Sequence, residues 1–270
     1  MEEVALAELI DLQGKTAIVT GGAMGIGKGI AARLHEAGAN IVIADLDEAA
    51  AHATADGLSA KRPNSVYVVK ADVASVHDVT NVVQKAVEQF NSIDILVNNA
   101  GIFPSVPLSH MSEDAFMKVI DTNLRSVFLF CKHVSDQMIK QGHGGKIINV
   151  TSIDALHPSM IGLAQYDASK HGVWGFTKNI ALELAQHKIW VNAIAPGGVA
   201  TPGVAKMQQA PADTNSEDLK KATEAFLATI PMHRMGDPDD IGRVALFLAS
   251  ELSSYMTGTQ VVVDGGVLLT

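Results

Sequence analysis

The chain has 270 residues, 47% hydrophobic and only 18% charged, enough to bury one large core within a single domain. A formal net charge of −9 argues against nucleic acid or an anionic membrane surface as a partner, and the single cysteine, Cys131, excludes an intramolecular disulfide and fits a reducing, cytoplasmic setting. No apolar run approaches the length of a membrane span, and the acidic opening MEEVALAELIDLQG lacks the basic end of a secretory signal.

Residues 15–20 (KTAIVT) form a short β-branched run suited to a buried parallel strand. GGAMGIGKGIAARLHEAG follows, a glycine turn opening into a helix that ends at Gly38. Gly21, Gly25 and Gly27 are spaced as a tight turn needs if backbone N–H groups are to meet a pyrophosphate at a helix N-terminus. A glycine loop alone says little; a strand before it and a helix after it are the context that gives it weight. The next strand, 40–45 (NIVIAD), ends in Asp45. A carboxylate there accepts hydrogen bonds from adenosine ribose hydroxyls and repels a 2′-phosphate. No Arg or Lys stands in the glycine turn or just after Asp45. The structural alternative is a surface aspartate that merely ends a strand.

The alternation continues with a helix over 47–60, a strand over 65–70, Asp72-Val73, a helix over 75–90 and a strand over 93–98 that runs into NNAG at 98–101. A long helix is expected over 112–141, a strand over 145–150, a helix over 161–180 and a strand over 189–194. Beyond Pro196 the pattern lapses for about thirty residues, before a last helix over 237–250, with Pro238 in its first turn, and a last strand over 260–263. Repeated βα units predict an α/β fold: a doubly wound, seven-stranded parallel sheet with helices on both faces, in one domain over 1–270. The histidines are scattered, with His35, His52, His77, His133 and His187 read as helix-surface residues, and no metal site is expected.

In the helix over 161–180, Tyr166 and Lys170 stand four residues apart on one face. A phenol titrates near ~10, and a nearby ammonium favours its ionised form, so Tyr166 suits a general acid or base with Lys170 as its tuner. Alone, the pair equally suits a half-buried tyrosine beside a solvated lysine. What tips the balance is that the glycine loop, Asp45, Asp72, 98–101, Ser152 and 196–201 all fall at the carboxyl ends of strands, where such sheets bind ligands.

Together these residues resemble the short-chain dehydrogenase/reductase family in its single-domain, Rossmann-like branch, from about Leu12 to Gly266. TGGAMGIG is similar to the family's TGxxxGxG, NNAG is intact, YDASK fits YxxxK, and PGGVATP, RMGDPDDIG and VDGG are family-like. Asn123 in DTNLRS and Ser152 in NVTSI match the family's catalytic Asn and Ser; Trp190 stands where many relatives carry Arg.

The resemblance implies an NAD-dependent oxidoreductase acting on a CH–OH group. Tyr166 would exchange the proton of the reacting oxygen, Ser152 would hydrogen-bond that oxygen, Lys170 would hold the nicotinamide ribose, and Asn123 would hold a proton-relaying water. The cofactor would lie against Gly21, Met24, Gly25, Ile26, Gly27, Asp45, Leu46, Asp72, Val73, Asn99, Ala100, Gly101, Tyr166, Lys170, Pro196, Val199 and Thr201. A homotetramer is implied as well. Asp154, His157 and Gln165 beside the catalytic pair suggest a small polar substrate such as a sugar or polyol, although they equally suit surface residues, and 200–230 reads as a lid carrying Val204, Met207 and Phe226. The alternatives are a 3-oxoacyl thioester reductase and a nucleotide-sensing homologue without turnover, although the complete tetrad favours an enzyme. The C-terminal part is too short for the substrate domain of the family's longer sugar-nucleotide branch.

Overall fold

The computed structural model describes residues 4–207, 225 and 227–270. Seven strands pair in parallel in the order β3-β2-β1-β4-β5-β6-β7. They are β1 (Thr16–Thr20), β2 (Asn40–Asp45), β3 (Val66–Lys70), β4 (Ile95–Asn98), β5 (Gly145–Val150), β6 (Ile189–Pro196) and β7 (Gln260–Val263). The helices are α1 (Leu6–Leu9), α2 (Gly25–Glu36), α3 (Glu48–Ser59), α4 (Val76–Phe90), α5 (Glu113–Ile120), α6 (Ser126–Gln141), α7 (Ala164–Leu184), α8 (Pro202–Met207) and α9 (Pro238–Ala249). Among the described residues no helix is long and apolar enough to cross a membrane.

Side chains alternate across each strand, so neighbouring residues feed different cores. Ile41 and Ile43 of β2 pack with Ile30 and Leu34 of α2 and Leu248 of α9. Val42 and Ala44 point the other way, into a layer with Val79 of α4, Phe130 of α6 and Val173 of α7. Both faces of the sheet are therefore covered, which is why its strands read as continuous apolar runs rather than alternating ones. The strand order turns back between β1 and β4, and the crevice above that switch point lies between the glycine turn and NNAG.

Three expectations change. The long helix is broken by a π turn, Asp121–Arg125, between α5 and α6, so Asn123 sits on a local widening of the helix. The Tyr/Lys helix begins at Ala164, because Gly162 in the left-handed region, at φ +91°, turns the chain just before it. His35 is no surface residue: at 4% exposure it is sealed under the start of β3, with Nε2 2.7 Å from Ser65 Oγ. Burial, helped by Arg62 and Lys61, holds its pKa below the usual imidazole range. Most of the proposed lid, Phe226 included, lies outside the described residues. Within it, α8 carries Val204, and just outside it Val199 bridges to Gly236.

Candidate active site

The glycine turn is built for close approach. Gly21 and Gly25 adopt φ +62° and +52°, and a Cβ on Gly27 would sit 2.1 Å from the carbonyl oxygen of Gly21. A side chain there would push the first turn of α2 off the loop. Asn99 braces the loop from NNAG, its Nδ2 donating to the carbonyls of Thr20 and Gly21 at 3.0 Å each. Thr20, which the sequence alone did not single out, supplies the reciprocal tie: its Oγ1 accepts from the N–H of Asn99 at 3.0 Å and of Ala100 at 3.1 Å.

Asp45 ends β2 facing this turn. Its Oδ2 accepts from Ala23 N–H and its Oδ1 from Asp47 N–H, both at 3.0 Å, and no cation is bonded to it among the described residues. Each oxygen keeps a lone pair for a further donor. Met24 and Leu46 are exposed beside it, and Ile26 is partly buried in the first turn of α2. Asp72 is exposed and shapes the next loop, accepting from Ala74 N–H at 2.9 Å, while Val73 is buried. From the opposite side 196–201 closes in: Val199 is buried, and a Cβ on Gly25 would lie 3.2 Å from the Thr201 side chain. The cradle that glycines keep open at the start of α2 and the carboxylate at its edge would suit a dinucleotide.

Asn123, Ser152, Tyr166 and Lys170 lie beyond the ends of β4 and β5. Asn123 is fully buried, and its amide clamps the backbone of Ile102, accepting from its N–H and donating to its C=O at 2.8 Å each, with a further donation to Ser169 Oγ at 3.1 Å. Ser169 in turn donates to the carbonyl of Tyr166 at 2.6 Å, tying the π turn to α7. That link was missed in the sequence, where Ser169 is one of the unassigned residues of YxxxK. Gly101 lets the two sides meet: a Cβ there would sit 3.3 Å from Asn123 Oδ1 and 3.7 Å from Lys170 Nζ.

Lys170 is 4% exposed and donates from Nζ to the Val150 carbonyl at 2.8 Å. Burial lowers its pKa to about 8. The expected lowering of Tyr166 is reversed: burial pushes its phenol well above the usual range, against a hydrogen bond with Ser152 that lowers it, and the carboxylates of Asp154 and Asp167 raise it further. Desolvation of the phenolate outweighs a lysine whose hydrogen bond goes elsewhere. Phe103 packs its ring against Tyr166, centroids 6.0 Å apart and steeply inclined.

Asp154 touches this group directly. Its Oδ2 accepts from Ser152 Oγ at 3.0 Å, and its N–H donates back to that Oγ at 3.1 Å. Gln165 corrects an expectation. It is 1% exposed and turned inward, with Nε2 donating to the carbonyls of Pro104 at 2.7 Å and Gly162 at 3.3 Å, so it braces a loop and meets no substrate. His157 is exposed, as are Leu156, Met160 and Ile161 on the same connection.

The pattern of the enoyl-(acyl carrier protein) reductase family matches residues 21–268. The 3-oxoacyl-[acyl-carrier-protein] reductase FabG of Chlamydia pneumoniae is 43% identical over 258 residues, 96% of this chain and 98% of that one. The 2-dehydro-3-deoxy-D-gluconate 5-dehydrogenase of Dickeya dadantii is 41% identical, covering 96% and 97%. Among solved structures, a 7α-hydroxysteroid dehydrogenase complexed with NADH and 7-oxo glycochenodeoxycholic acid superposes with a TM-score of 0.88 at 31% identity, covering 97% of this chain and 98% of that one. The chain belongs to the short-chain dehydrogenase/reductase family of oxidoreductases.

Proposed function

We propose that this chain is an NAD-dependent oxidoreductase that interconverts a small polar alcohol, such as a sugar or polyol, and the corresponding carbonyl compound. The observation that carries the substrate class is Asp154. One carboxylate oxygen is bonded to Ser152, and among the described residues Oδ1 has no hydrogen-bond partner, so it is available to a neighbouring substrate hydroxyl. An apolar substrate would leave that acceptor unpaired, at a cost of roughly 1–3 kcal/mol. The choice of NAD rests on Asp45, which would face a 2′-phosphate with like charge and no cation between them.

NAD, when bound, supplies the hydride chemistry. The chain's own residues manage the proton and the geometry. Tyr166 gives its phenolic proton to the substrate oxygen in reduction and takes it back in oxidation. Ser152 would hydrogen-bond that oxygen through its Oγ, which is held by Asp154. Lys170 uses one N–H on Val150, which leaves two for ribose hydroxyls. Asn123 spends both amide hydrogens on protein, so a water it held would have to donate to it, at the remaining lone pair of Oδ1 or at the backbone carbonyl.

The competing reading, a 3-oxoacyl thioester reductase, is favoured by the exposed apolar residues Leu156, Met160 and Ile161 and by the likeness to FabG. An assay of NAD⁺ reduction with sugars and polyols, beside NADH oxidation with acetoacetyl thioesters, separates the two. Polyol turnover that Tyr166→Phe abolishes while NADH binding persists supports the proposal; efficient thioester turnover with no polyol active overturns it.

A further inference from the structure

Ser152 has one hydroxyl hydrogen and two lone pairs. Two of these are committed within the protein: Oγ donates to Asp154 Oδ2 and accepts from Asp154 N–H. With its only hydrogen on Asp154, Ser152 has nothing to donate to a substrate oxygen. The pose is fixed locally, because Ser152 caps the helical turn Ile153–Ala155 through the same Oγ.

We infer that Asp154 is a positioning residue that decides which partner receives the Ser152 hydroxyl hydrogen. Ionised, Asp154 keeps that hydrogen. Protonated from solvent, it presents an O–H to Oγ, so that O–H and the Asp154 N–H fill both lone pairs of Oγ. The serine hydrogen is then released to the reacting oxygen. Neutral Asp154 thus arms Ser152 as a donor for carbonyl reduction, in which hydride adds to carbon and the Tyr166 proton to oxygen.

The surroundings set where the switch lies. Facing Asp154 are His157 on its own connection and Asp167, Tyr166, Lys170 and His171 on α7. Burial raises the Asp154 carboxyl above its ordinary range, with Asp167 adding to the rise and the Ser152 bond and the two histidines opposing it. The switch therefore lies above the range of a free aspartate.

The inference rests on the oxidoreductase reading, and its first test does not. The Asp154 carboxyl is titrated by ¹³C NMR in the unliganded protein, its signal identified by difference from Asp154→Asn. Ser152→Ala removes the donor that favours the carboxylate, so the Asp154 titration moves to higher pH; an unmoved titration overturns the inference. The second test follows NADH-dependent reduction of diacetyl against pH. Wild type gains about tenfold as pH falls through the NMR-measured titration, as one recovered hydrogen bond to the reacting oxygen allows. Asp154→Asn, permanently neutral, holds the high rate with a flat profile. Retention of the wild-type pH dependence in Asp154→Asn, or an equal loss at every pH, shows a merely structural residue and overturns the inference. Failure of wild type to reduce any carbonyl compound refutes the oxidoreductase reading instead, while the NMR result still decides the hydrogen bond.

Discussion

Lys170 Nζ lies 5.6 Å from the centroid of the Tyr166 ring, yet its hydrogen bond goes to the Val150 carbonyl at 2.8 Å. The two residues share a helix face, but in the unliganded protein the ammonium is held by the end of β5 and not by the phenol. Its charge is buried with no counter-ion bonded to it among the described residues, and that carries a cost. With a folded pKa of about 8 against 10.5 for the free side chain, the burial of Lys170 costs roughly 3 kcal/mol at neutral pH.

Lys170→Met should therefore stabilise the unliganded protein while weakening NADH binding. The folded state binds fewer protons than the unfolded one between about pH 8 and 10.5, so the penalty is complete below 8 and fades as pH rises. After about 1 kcal/mol is subtracted for the lost bond to Val150, the gain should be roughly 1–2 kcal/mol at pH 7 and absent by pH 10.5. Urea melts at the two pH values check this; a variant less stable than wild type at pH 7 contradicts it.

Asp45 should give at least a ~100-fold preference for NAD⁺ over NADP⁺ in kcat/KM, since an unpaired, like-charged phosphate costs on the order of a few kcal/mol. Asp45→Ser removes the charge but keeps an oxygen for the Ala23 N–H that Asp45 now holds. The preference should drop at least tenfold, chiefly through better use of NADP⁺. Equal use of the two cofactors by wild type would mean that Asp45 does not face the ribose.

The chain should assemble as a homotetramer. Val127 and Phe130 of α6 and Val173 of α7 are spent in the protein's own core. Phe116, Met117 and Phe128 remain exposed, the last edge-on to Phe176 at 6.3 Å, and β7 offers an open sheet edge carrying the exposed Val262. Light scattering should report four chains, and Phe128→Glu should lower the mass; a stable 28.4 kDa wild-type monomer at micromolar concentration refutes the assembly.

The parallel sheet was legible because each strand is a short continuous apolar run set between helices, as Ile41, Val42 and Ile43 show by feeding both cores. The site was legible where spacing alone carries the chemistry: Gly21, Gly25 and Gly27 around one turn, Tyr166 and Lys170 on one face. It was illegible where a side chain chooses between neighbours. Nothing in a linear reading says that His35 turns under Ser65, that Asn123 clamps Ile102, or that Lys170 reaches Val150 rather than Tyr166. The π turn was hidden for a related reason: an extra residue in one helical turn leaves the apolar pattern on both sides intact.

Gln165 gives the clearest test of that limit, because it adjoins Tyr166 in sequence but faces away from the pocket. Its two amide hydrogens are the donors that the carbonyls of Pro104 and Gly162 receive from it, and Val106 N–H completes the seam by donating to Gly162 at 2.8 Å. Its Oε1 is buried with no partner among the described residues, so the residue is kept for the loop it holds despite that orphaned acceptor. Gln165→Leu fills nearly the same volume, removes the orphan and strands two carbonyls. It should cost roughly 1–3 kcal/mol in stability and, by loosening 102–107, raise KM by a similar factor for every substrate. Asp154→Ala should instead raise KM selectively for substrates with a neighbouring hydroxyl. If Gln165→Leu impaired polyols and spared apolar alcohols, the side chain would have to turn outward during turnover, and its reading as a brace would be wrong.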